Sequence, residues 1–514
     1  MAIKVGGTEV ISDSRGLNNI ASVDATTVAS LSAAGVGAGG GSLDAIASGT
    51  ISTGDTIIIN SNGTVSAVGI AGTSFSYGST TNYYNTEPAF YAVAAFDSGS
   101  NKVVVAYRND TQYPMAVVGN VSGTSISFGT PVTLNSVAAN AQRPTCVAYD
   151  SNSNKVVVGY AGYNNAFKAK VGTVSGTSIS FGSDTNINGN YSGYDTVGVF
   201  DSNRNKVVFA SRNINNSTSL DVCIGTVSGT SVSWTSPYSV DSSTESYSMV
   251  FDSSTNKTVI TFKKSQTAAA VVGFVNSSGS WTVGSVYTLK SSGAAGGFTA
   301  SAFNTAANKI VHVYTAGSIT YARVGTTNSS DNSISFGTEK VIYNVGTLYD
   351  LAADYSVEYD RVIVSARKIV DGTSSVTYIP LEVSGTDIIV GSSGGLPTAS
   401  GSNGGIVYDA NAEKMVSFYT NSSTNRGDAT VIDGGDAATN LSLTNFIGFS
   451  DSNYSNSQTA SVQLVSAVNE NQSGLTATKK YYVMADGSLA ETDPDLRDIY
   501  AGTAVSATKI IVKG

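Results

Sequence analysis

Apolar and polar residues alternate over short stretches through most of the chain, which is typical of half-buried β-strands. One stretch of the chain shows four such segments clearly, at residues 145–149, 155–160, 167–174 and 177–181. Polar turn residues separate these segments, and the 3.6-residue period of an amphipathic helix is nearly absent. The pattern therefore predicts a unit of four antiparallel strands.

This unit recurs along the chain with nearly constant length. Each copy carries an aromatic residue, Asp, Ser, two variable residues, Asn and a basic residue, followed by β-forming residues, with two degenerate copies at the end. A period of 51 to 53 residues over seven copies is the signature of a closed or stacked repeat architecture. The basic residues are Lys102, Lys155, Lys206, Lys257, Lys309, Arg361 and Lys414.

Four strands per repeat predict an all-β fold, a seven-bladed β-propeller of four-stranded antiparallel blades. The seventh copy has no fourth strand after residues 428–433, whereas an isolated fourth-strand copy at residues 72–78 precedes the first copy. We predict that this N-terminal strand completes the last blade and closes the ring, which removes exposed sheet edges. The alternative is an open solenoid or a string of small sandwiches, but neither gains from splitting one unit between its two ends.

The chain ends lie outside the repeat. Asn62-Gly63 and Asp486-Gly487 stand between short apolar strands and predict hairpins. Residues 43–66 with 445–514 are therefore predicted to form a small β-domain, into which the propeller at 67–444 is inserted. Residues 1–42 are predicted to be an attachment segment, with a strand at 3–11, a short helix at 24–34 and a Gly-rich hinge at 35–41.

Composition narrows the functional classes. The 514 residues are 41% hydrophobic and 13% charged, with a formal net charge of −9 and no cluster of basic residues, so nucleic acid is not an expected partner. The sequence has no signal-peptide pattern and no apolar run of bilayer length, which predicts a protein made and kept in soluble form. Cys146 and Cys223 occupy different positions in their repeats and are predicted to be buried free thiols.

Catalytic signals are weak in this sequence. His312 is the only histidine, and no nucleophile constellation accompanies it, so we predict a structural role. Four carboxylates fall in loops that a ring would bring together, although nothing distinguishes them from solvated loop charges. They are Asp195, Glu245, Asp350 and Asp354.

A sialidase-like propeller is the natural enzyme alternative, because several arginines could gather over a channel to hold a carboxylate. Such propellers carry turns of the form Ser-x-Asp-x-Gly-x-Thr-Trp, and the nearest match, residues 277–281, lacks the Asp. We therefore predict no enzyme, no cofactor and no metal site. The arginines concerned are Arg108, Arg143, Arg212, Arg323 and Arg367.

A binding face is the more concrete prediction. The loops between second and third strands, and those between repeats, lie on one face, vary in length and are rich in Tyr and amide residues. Tyrosine offers a large contact area at small entropic cost and stacks on sugar rings, although these residues could instead only cover the ends of the blades. The predicted ligand-binding residues are Tyr83, Tyr84, Tyr91, Tyr113, Tyr163, Tyr191, Tyr194, Tyr247 and Tyr349.

The two ends of the chain carry a resemblance to a known group of proteins. The opening MAIKVGGTEVISDSR, with LNNIASV at 17–23, resembles the N-terminal segment of tail-fibre and related virion proteins of marine bacteriophages. A C-terminal module that recurs in phage structural proteins is similar to FIGFS at 446–450, SGLT at 473–476, KYYV at 480–483, DGSL at 486–489 and the final residues from 501. The resemblance covers roughly a quarter of the chain and says nothing direct about the propeller.

This resemblance implies a virion protein, assembled in the host cytoplasm, whose N-terminal segment binds other virion proteins. It implies a tail fibre or receptor-binding component that recognises a host surface glycan or protein through the propeller. Fibres of this kind are commonly homotrimers, which the helix and hinge predicted near the N-terminus would permit. A capsid decoration or head-fibre protein is the alternative, and a polysaccharide-degrading propeller enzyme is a second one.

Overall fold

Two compact units make up the chain, and we refer to Met1–Ala71 with Ala438–Gly514 as the end unit and to Gly72–Ala437 as the repeat unit. The computed structural model describes residues 3–5, 8–11, 41–60, 62–69, 75–138, 145–189, 193–291, 297–370, 372–391, 393–434, 440–441, 444–484, 487–492 and 499–513. The predicted helix at 24–34 and nearly all of the predicted hinge lie outside these residues. Within them the only helical segment is the 3-10 turn Tyr163–Asn165, so the prediction of an all-β fold is confirmed.

The N-terminal part of the end unit contains five short strands. These are β1 (Ile3–Val5), β2 (Thr8–Ile11), β3 (Ser42–Ile46), β4 (Thr56–Ile59) and β5 (Val65–Ala67). β1 pairs with β2 as a hairpin, where the sequence predicted one strand over residues 3–11. β4 pairs with β5 across a turn in which Gly63 has a φ of +82°, a conformation that glycine adopts without a steric penalty.

The repeat unit contains the next thirty-three strands of the described chain. They are β6 (Ser76–Tyr77), β7 (Thr81–Tyr84), β8 (Ala89–Asp97), β9 (Lys102–Asn109), β10 (Pro114–Ser122), β11 (Ser125–Phe128), β12 (Val132–Thr133), β13 (Thr145–Asp150), β14 (Lys155–Ala161), β15 (Phe167–Ser175), β16 (Ser178–Phe181), β17 (Thr185–Asn188), β18 (Tyr194–Asp201), β19 (Lys206–Asn213), β20 (Ser219–Ser228), β21 (Ser231–Trp234), β22 (Tyr238–Asp241), β23 (Thr244–Asp252), β24 (Lys257–Lys264), β25 (Thr267–Val275), β26 (Trp281–Lys290), β27 (Thr299–Asn304), β28 (Lys309–Ala316), β29 (Ile319–Thr327), β30 (Ile334–Phe336), β31 (Lys340–Tyr343), β32 (Leu348–Ser356), β33 (Arg361–Val370), β34 (Thr373–Ser384), β35 (Asp387–Val390), β36 (Gly394–Asp409), β37 (Lys414–Asn421) and β38 (Arg426–Asp433).

Five separate sheets of this unit have four antiparallel strands in chain order: β8–β11, β13–β16, β18–β21, β23–β26 and β27–β30, called sheets 1 to 5. The predicted four-stranded antiparallel unit is therefore confirmed. In sheets 1, 2, 3 and 5 the fourth strand is interrupted, and β12, β17, β22 or β31 continues along the same edge of the third strand. The remaining strands form one larger sheet in the order β32-β33-β34-β36-β37-β38-β6, in which the long strand β36 pairs with both β34 and β37.

A recurring side-chain interaction forms the turn between first and second strands. In sheet 2, for example, Oδ1 of the buried Asp150 accepts hydrogen bonds from the backbone N–H groups of Asn152 and Ser153, both at 3.0 Å. The residue before the second strand then has a positive φ, which Asn adopts more readily than most residues. Among the described residues this conformation occurs in seven such turns, at Asn101, Asn154, Asn205, Asn256, Asn308, Asp360 and Glu413.

The core of the repeat unit lies between neighbouring sheets. Val104 and Val118 of sheet 1 pack in one cluster with Val156 and Val158 of sheet 2. Small residues allow this close approach: a β-carbon at Gly182, which follows the fourth strand of sheet 2, would overlap the carbonyl oxygen of Thr230 in sheet 3. Glycine at position 182 therefore lets sheet 2 pack closely against the turn between β20 and β21 of sheet 3.

Strands from the two ends of the repeat unit pair with each other. Tyr77 of β6 is the register partner of Ile432 in β38, and β7 continues along the same edge of β38. The Oγ1 atom of Thr420 in β37 also donates a hydrogen bond to the carbonyl oxygen of Ala89 in sheet 1. The last strand of the repeat unit, β38, thus pairs with the two strands that precede β8.

The end unit is completed by β39 (Phe446–Ser450), β40 (Thr459–Gln463), β41 (Val468–Asn469), β42 (Lys480–Val483), β43 (Leu489–Ala490), β44 (Tyr500–Ser506) and β45 (Lys509–Val512). Its two five-stranded sheets have the orders β3-β40-β39-β4-β5 and β41-β45-β44-β42-β43. The first sheet combines strands from both ends of the chain. The main core cluster of the end unit contains residues of both sheets, among them the fully buried Phe449, Val483 and Val512.

Candidate functional site

First strands from around the repeat unit surround a cavity of about 240 Å3. Residues of β8, β13, β18, β23, β27, β32 and β36 line it, and many of them are small, such as Ala92, Gly198, Ala300 and Gly404. Small side chains suit a position where seven strands converge.

Several first strands have the same backbone irregularity near their N-terminal ends. A β-bulge interrupts the pairing of β8, β18, β23 and β32 with their second strands, between equivalent positions of the repeat. At each bulge a non-glycine residue has a positive φ: 55° at Tyr91, 43° at Asp195, 55° at Ser246 and 51° at Asp350. Such conformations cost of order 1 kcal/mol or more and cluster at ligand-binding and active sites, so these residues, called the rim, are candidates for function.

Cationic side chains of the second strands lie beside the rim. The guanidinium carbon of Arg212 is 5.8 Å from the ring centroid of Tyr194, and that of Arg367 is 4.9 Å from the ring centroid of Tyr349. Arg108 contacts Tyr91 in the same manner at 5.3 Å. The repeat thus places a cation on an aromatic ring three times around the unit, an arrangement that fixes the orientation of both groups.

Asp195 of the rim and Glu245, which precedes Ser246 of the rim, meet at one arginine. Nε of Arg212 is 3.1 Å from Oδ2 of Asp195, and its Nη1 is 3.4 Å from Oε2 of Glu245 on the neighbouring sheet. The other carboxylate oxygen of Glu245 is 2.6 Å from Nζ of Lys263, although the Glu245 side chain is 43% exposed. These four side chains join sheets 3 and 4 by charge-assisted contacts.

A groove of about 510 Å3 lies between sheets 2 and 3. One end is formed by Tyr163, which is 65% exposed and stands in the 3-10 turn between the second and third strands of sheet 2. The opposite wall is Trp234 with the segment 235–237, where the fourth strand of sheet 3 is interrupted. An aromatic ring with a free face beside a polar groove is a common arrangement for ligand binding.

Polar groups of the groove are held in place by neighbouring side chains. The indole N–H of Trp234 donates to Oγ1 of Thr185 at 3.1 Å, and Nδ2 of Asn188 donates to Oδ2 of Asp221 at 3.0 Å. Asn186, Lys168 and the backbone of Gly189 also line the groove. Fixed amide and hydroxyl groups of this kind favour a ligand that has many hydroxyl groups.

The charge of Lys168 is balanced beside the groove. Its Nζ lies 3.3 Å from Oδ2 of Asp184, and Nζ of Lys170 lies 3.6 Å from Oδ1 of the same carboxylate. Burial opposes the ionisation of Asp184, but the two lysines outweigh it and keep the pKa of this carboxyl below its usual value. Two lysines therefore share one carboxylate beside the groove at neutral pH.

One hydrogen bond links the turn that carries Tyr163 to the rim. Asn165 follows Tyr163 in the same turn, and its Nδ2 donates to the hydroxyl oxygen of Tyr194 at 2.9 Å. Tyr194 in turn carries Arg212 on its ring. Tyr163, Tyr194 and Glu245 thus lie along one connected path of polar and aromatic side chains across sheets 2, 3 and 4.

The predicted ligand-binding tyrosines separate into three groups. Tyr163 lines the groove, and Tyr91, Tyr194 and Tyr349 lie at the rim. Tyr191 lies outside the described residues. The remaining four residues, namely Tyr83, Tyr84, Tyr113 and Tyr247, are buried or packed against a core cluster.

Tyr83, Tyr84 and Tyr247 are buried, and Tyr247 also lines the cavity at the first strands. Because β7 pairs with β38, the ring of Tyr83 packs between sheet 1 and β37, with its centroid 5.2 Å from that of Tyr107. The Tyr247 hydroxyl lies 2.7 Å from Oγ1 of Thr244, and burial raises the pKa of Tyr247. Tyr83 and Tyr84 belong to a core cluster and present no exposed ring face.

The other candidate residues have separate positions. Arg323 donates hydrogen bonds to the carbonyl oxygens of Gly337 and Leu289, away from the rim, and Arg143 lies outside the described residues. Asp354 accepts a hydrogen bond from the backbone N–H of Tyr408. Three of the five arginines, Arg108, Arg212 and Arg367, therefore lie beside the rim, and Arg212 and Arg367 already pair with carboxylates there.

The groove-lining Trp234, Lys168 and Asn186 were not predicted. A signal for Trp234 exists in the sequence, because the aromatic residue of the fourth strand is followed by glycine at residues 78, 129, 182 and 337 but by Thr235 in the third repeat. That departure marks the position where the strand is interrupted without the usual glycine. Lys168 and Asn186 carry no comparable signal.

No protein-family model matches this chain, and no curated protein does. Solved structures do match the repeat unit, among them the BP39L lectin from Burkholderia pseudomallei, with a TM-score of 0.50, 14% identity, and coverage of 69% of this chain and 97% of the lectin. The repeat unit has a β-propeller fold. At this identity the similarity supports the fold of the propeller alone.

Two further structures are similar to the propeller at lower TM-scores. The β-propeller domain of Cps50 (Swd1) from Myceliophteria thermophila has a TM-score of 0.44 and 7% identity, covering 69% of this chain and 99% of that domain. The six-bladed lectin of Aleuria aurantia, described with a novel fucose recognition mode, has a TM-score of 0.39 and 13% identity, covering 62% and 98%.

Proposed function

We propose that the repeat unit is a closed seven-bladed propeller that binds carbohydrate in the groove between sheets 2 and 3. Division of the nine-stranded sheet at β36 gives two blades in addition to sheets 1 to 5, and the pairing of β6 and β7 with β38 supplies the missing fourth strand. Seven first strands around one cavity support this count.

The observation that carries carbohydrate binding is the exposed ring of Tyr163 beside fixed amides and hydroxyls. The ring provides an apolar face for stacking on a sugar, and Asn186 and Asn188 provide donors and acceptors for its hydroxyl groups. A lectin among the solved structures similar to the propeller adds support.

The test is binding of the full chain to an array of bacterial polysaccharides, compared with the Tyr163→Ala variant. Loss of an exposed aromatic contact costs more than about 1 kcal/mol when it dominates binding, so affinity should fall roughly tenfold. Tyr238→Ala is the matched control, because Tyr238 is also exposed, at 44%, but does not line the groove. Equal affinity of wild type and the Tyr163→Ala variant would place the ligand elsewhere.

We further propose that the protein is a phage virion component, a tail fibre or receptor-binding protein that recognises the host surface. The resemblance of both chain ends to phage proteins supports this role, and a groove for carbohydrate suits a host glycan. A capsid decoration or head-fibre protein is the alternative. Immunogold labelling of virions distinguishes tail from capsid, and antibody blocking of adsorption tests host recognition directly.

We propose binding without turnover. Asp195 and Glu245 share Arg212, and Glu245 also contacts Lys263, so these carboxylates act as partners of cations. Incubation of the purified chain with the best-binding polysaccharide, followed by reducing-end measurement, checks this proposal. An increase in reducing ends that is absent from the Glu245→Gln variant would establish an enzyme instead.

A further inference from the structure

We infer that the ligand is an oligosaccharide which extends from the groove to the rim, with its first sugar on Tyr163 and a later sugar at Glu245. This inference rests on the proposed carbohydrate function and adds the length and direction of the ligand. The observation behind it is the series of contacts that links Tyr163, Tyr194 and Glu245 across sheets 2, 3 and 4.

The first step of the path is the turn between groove and rim. Tyr163 and Asn165 belong to the same 3-10 turn, in which Asn164 and Asn165 have positive φ values of 50° and 53°. Asn165 is buried, and its side-chain Nδ2 donates to the Tyr194 hydroxyl, while the backbone N–H of Gly193 donates to the backbone carbonyl oxygen of Asn165 at 2.7 Å. These bonds fix the exposed ring of Tyr163 relative to the rim of the neighbouring sheet.

The second step is the charged cluster at the rim. Arg212 lies on the ring of Tyr194 and contacts Asp195 and Glu245, and Glu245 contacts Lys263. Both oxygens of Glu245 are therefore held in position, and 43% of its side chain is still accessible. A carboxylate oxygen has several acceptor positions, so Glu245 can accept hydrogen bonds from sugar hydroxyls while it keeps its ionic partners.

The same arrangement does not recur at the β32-β33-β34 part of the larger sheet, called sheet 6. There the rim carboxylate Asp350 pairs with Arg367, 2.9 Å from Nε, and the turn equivalent to Tyr163 in that repeat holds no exposed tyrosine among the described residues. Across sheets 2 to 4 the aromatic groove, the linking amide and the exposed carboxylate occur together. We therefore place the extended site in this sector.

The experiment uses fragments of one to six sugars, prepared by partial acid hydrolysis of the array polysaccharide that the full chain binds best. Affinity should rise at least about tenfold between the shortest fragment that binds and a fragment two or three sugars longer, as further contacts form. The Glu245→Gln variant should bind the shortest fragment as wild type does and lose this rise. Asp350→Asn, the matched rim variant of sheet 6, should keep it.

A second variant serves as a control for loss of binding that is caused by misfolding. Arg212→Lys keeps the positive charge but loses the planar contact with Tyr194, and it should also reduce the rise with length. If wild type binds every fragment equally well, or the Glu245→Gln variant keeps the full rise, the extended site is wrong while the groove proposal stands. If no polysaccharide on the array binds, the proposed function itself is wrong.

Discussion

His312 should make the propeller lose stability in mild acid. Its side chain is fully buried between sheets 4 and 5, with Nδ1 2.7 Å from Oγ1 of Thr261 and 3.2 Å from Oγ of Ser301. Burial lowers the pKa of His312 from 6.5 to about 3. A proton that binds readily to the unfolded imidazole therefore binds the folded one poorly.

The sign and size of the effect follow from that difference. Because the folded pKa lies below the unfolded one, the stabilisation is complete above pH 6.5 and decreases as the pH falls from 6.5 towards 3. One pKa unit corresponds to 1.36 kcal/mol, so His312 by itself should lower the free energy of unfolding by about 2 kcal/mol between pH 7 and pH 5. Burial raises the pKa of Asp354 to about 6, which acts in the opposite direction, so the contribution of His312 is measured as the difference between wild type and the His312→Gln variant. His312 is the only histidine, and no second imidazole titrates in this range.

Denaturant unfolding at pH 7 and pH 5, followed by tryptophan fluorescence, measures the effect. The chain has two tryptophans, and both Trp234 and Trp281 belong to the propeller, so the signal reports on this unit. The His312→Gln variant should lose about 2 kcal/mol less than wild type over this interval. Thr261→Val, which removes a hydrogen bond but keeps the imidazole, should keep the wild-type pH dependence.

Equal pH dependence in wild type and the His312→Gln variant would refute the reasoning. That result would mean that the imidazole is protonated in the folded state or titrates equally in both states. A lower stability of the variant at pH 7 alone would not decide the question, since loss of a buried hydrogen bond costs about 1 to 3 kcal/mol at any pH.

Three further outcomes are expected. Tyr83→Ala should lower the free energy of unfolding by about 3 to 5 kcal/mol through the cavity it leaves, while the folded variant keeps the glycan affinity of wild type in the array assay. Gly182→Ala should lower it by about 1 to 3 kcal/mol because the new methyl group overlaps backbone of the next sheet, whereas Gly189→Ala, where nothing lies within 4 Å, should not. Both thiols, Cys146 and Cys223, should resist a thiol reagent in the native protein and react after unfolding, since burial raises the pKa of each; rapid native labelling would contradict this.

Local chemistry explains which parts of the fold could be predicted. The turn between first and second strands depends on residues within five positions, such as Asp150 with Asn154, so the repeated motif predicts the same turn wherever it occurs. The isolated copy at residues 72–78 could be assigned to a fourth strand because Phe75 and Tyr77 match the apolar positions of the other copies. Its partner β38 belongs to the one repeat without a fourth strand of its own.

The candidate site could be predicted only in part, because burial depends on distant strands. Tyr83 and Tyr163 are both loop-like tyrosines in the sequence, yet β7 carries Tyr83 into a core cluster and Tyr163 keeps an exposed ring. The meeting of Asp195 and Glu245 at Arg212 depends on the contact between two sheets, and their spacing in the sequence does not indicate it. The repeat predicts that each of these residues lies near the ends of the strands, but it does not predict which residues of neighbouring sheets contact each other.

The pairing of β6 with β38 has a consequence for the order of folding. During synthesis β6 leaves the ribosome before any other strand of the propeller, and its partner leaves last. Sheets 1 to 5 have only local strand pairs and can form as the chain emerges, whereas the final pairing needs a contact between the two ends of the unit and should be the slow step. Until that step the free edge of β38 can pair with β6 of another copy. Expression at high concentration therefore favours exchange of β6 between copies.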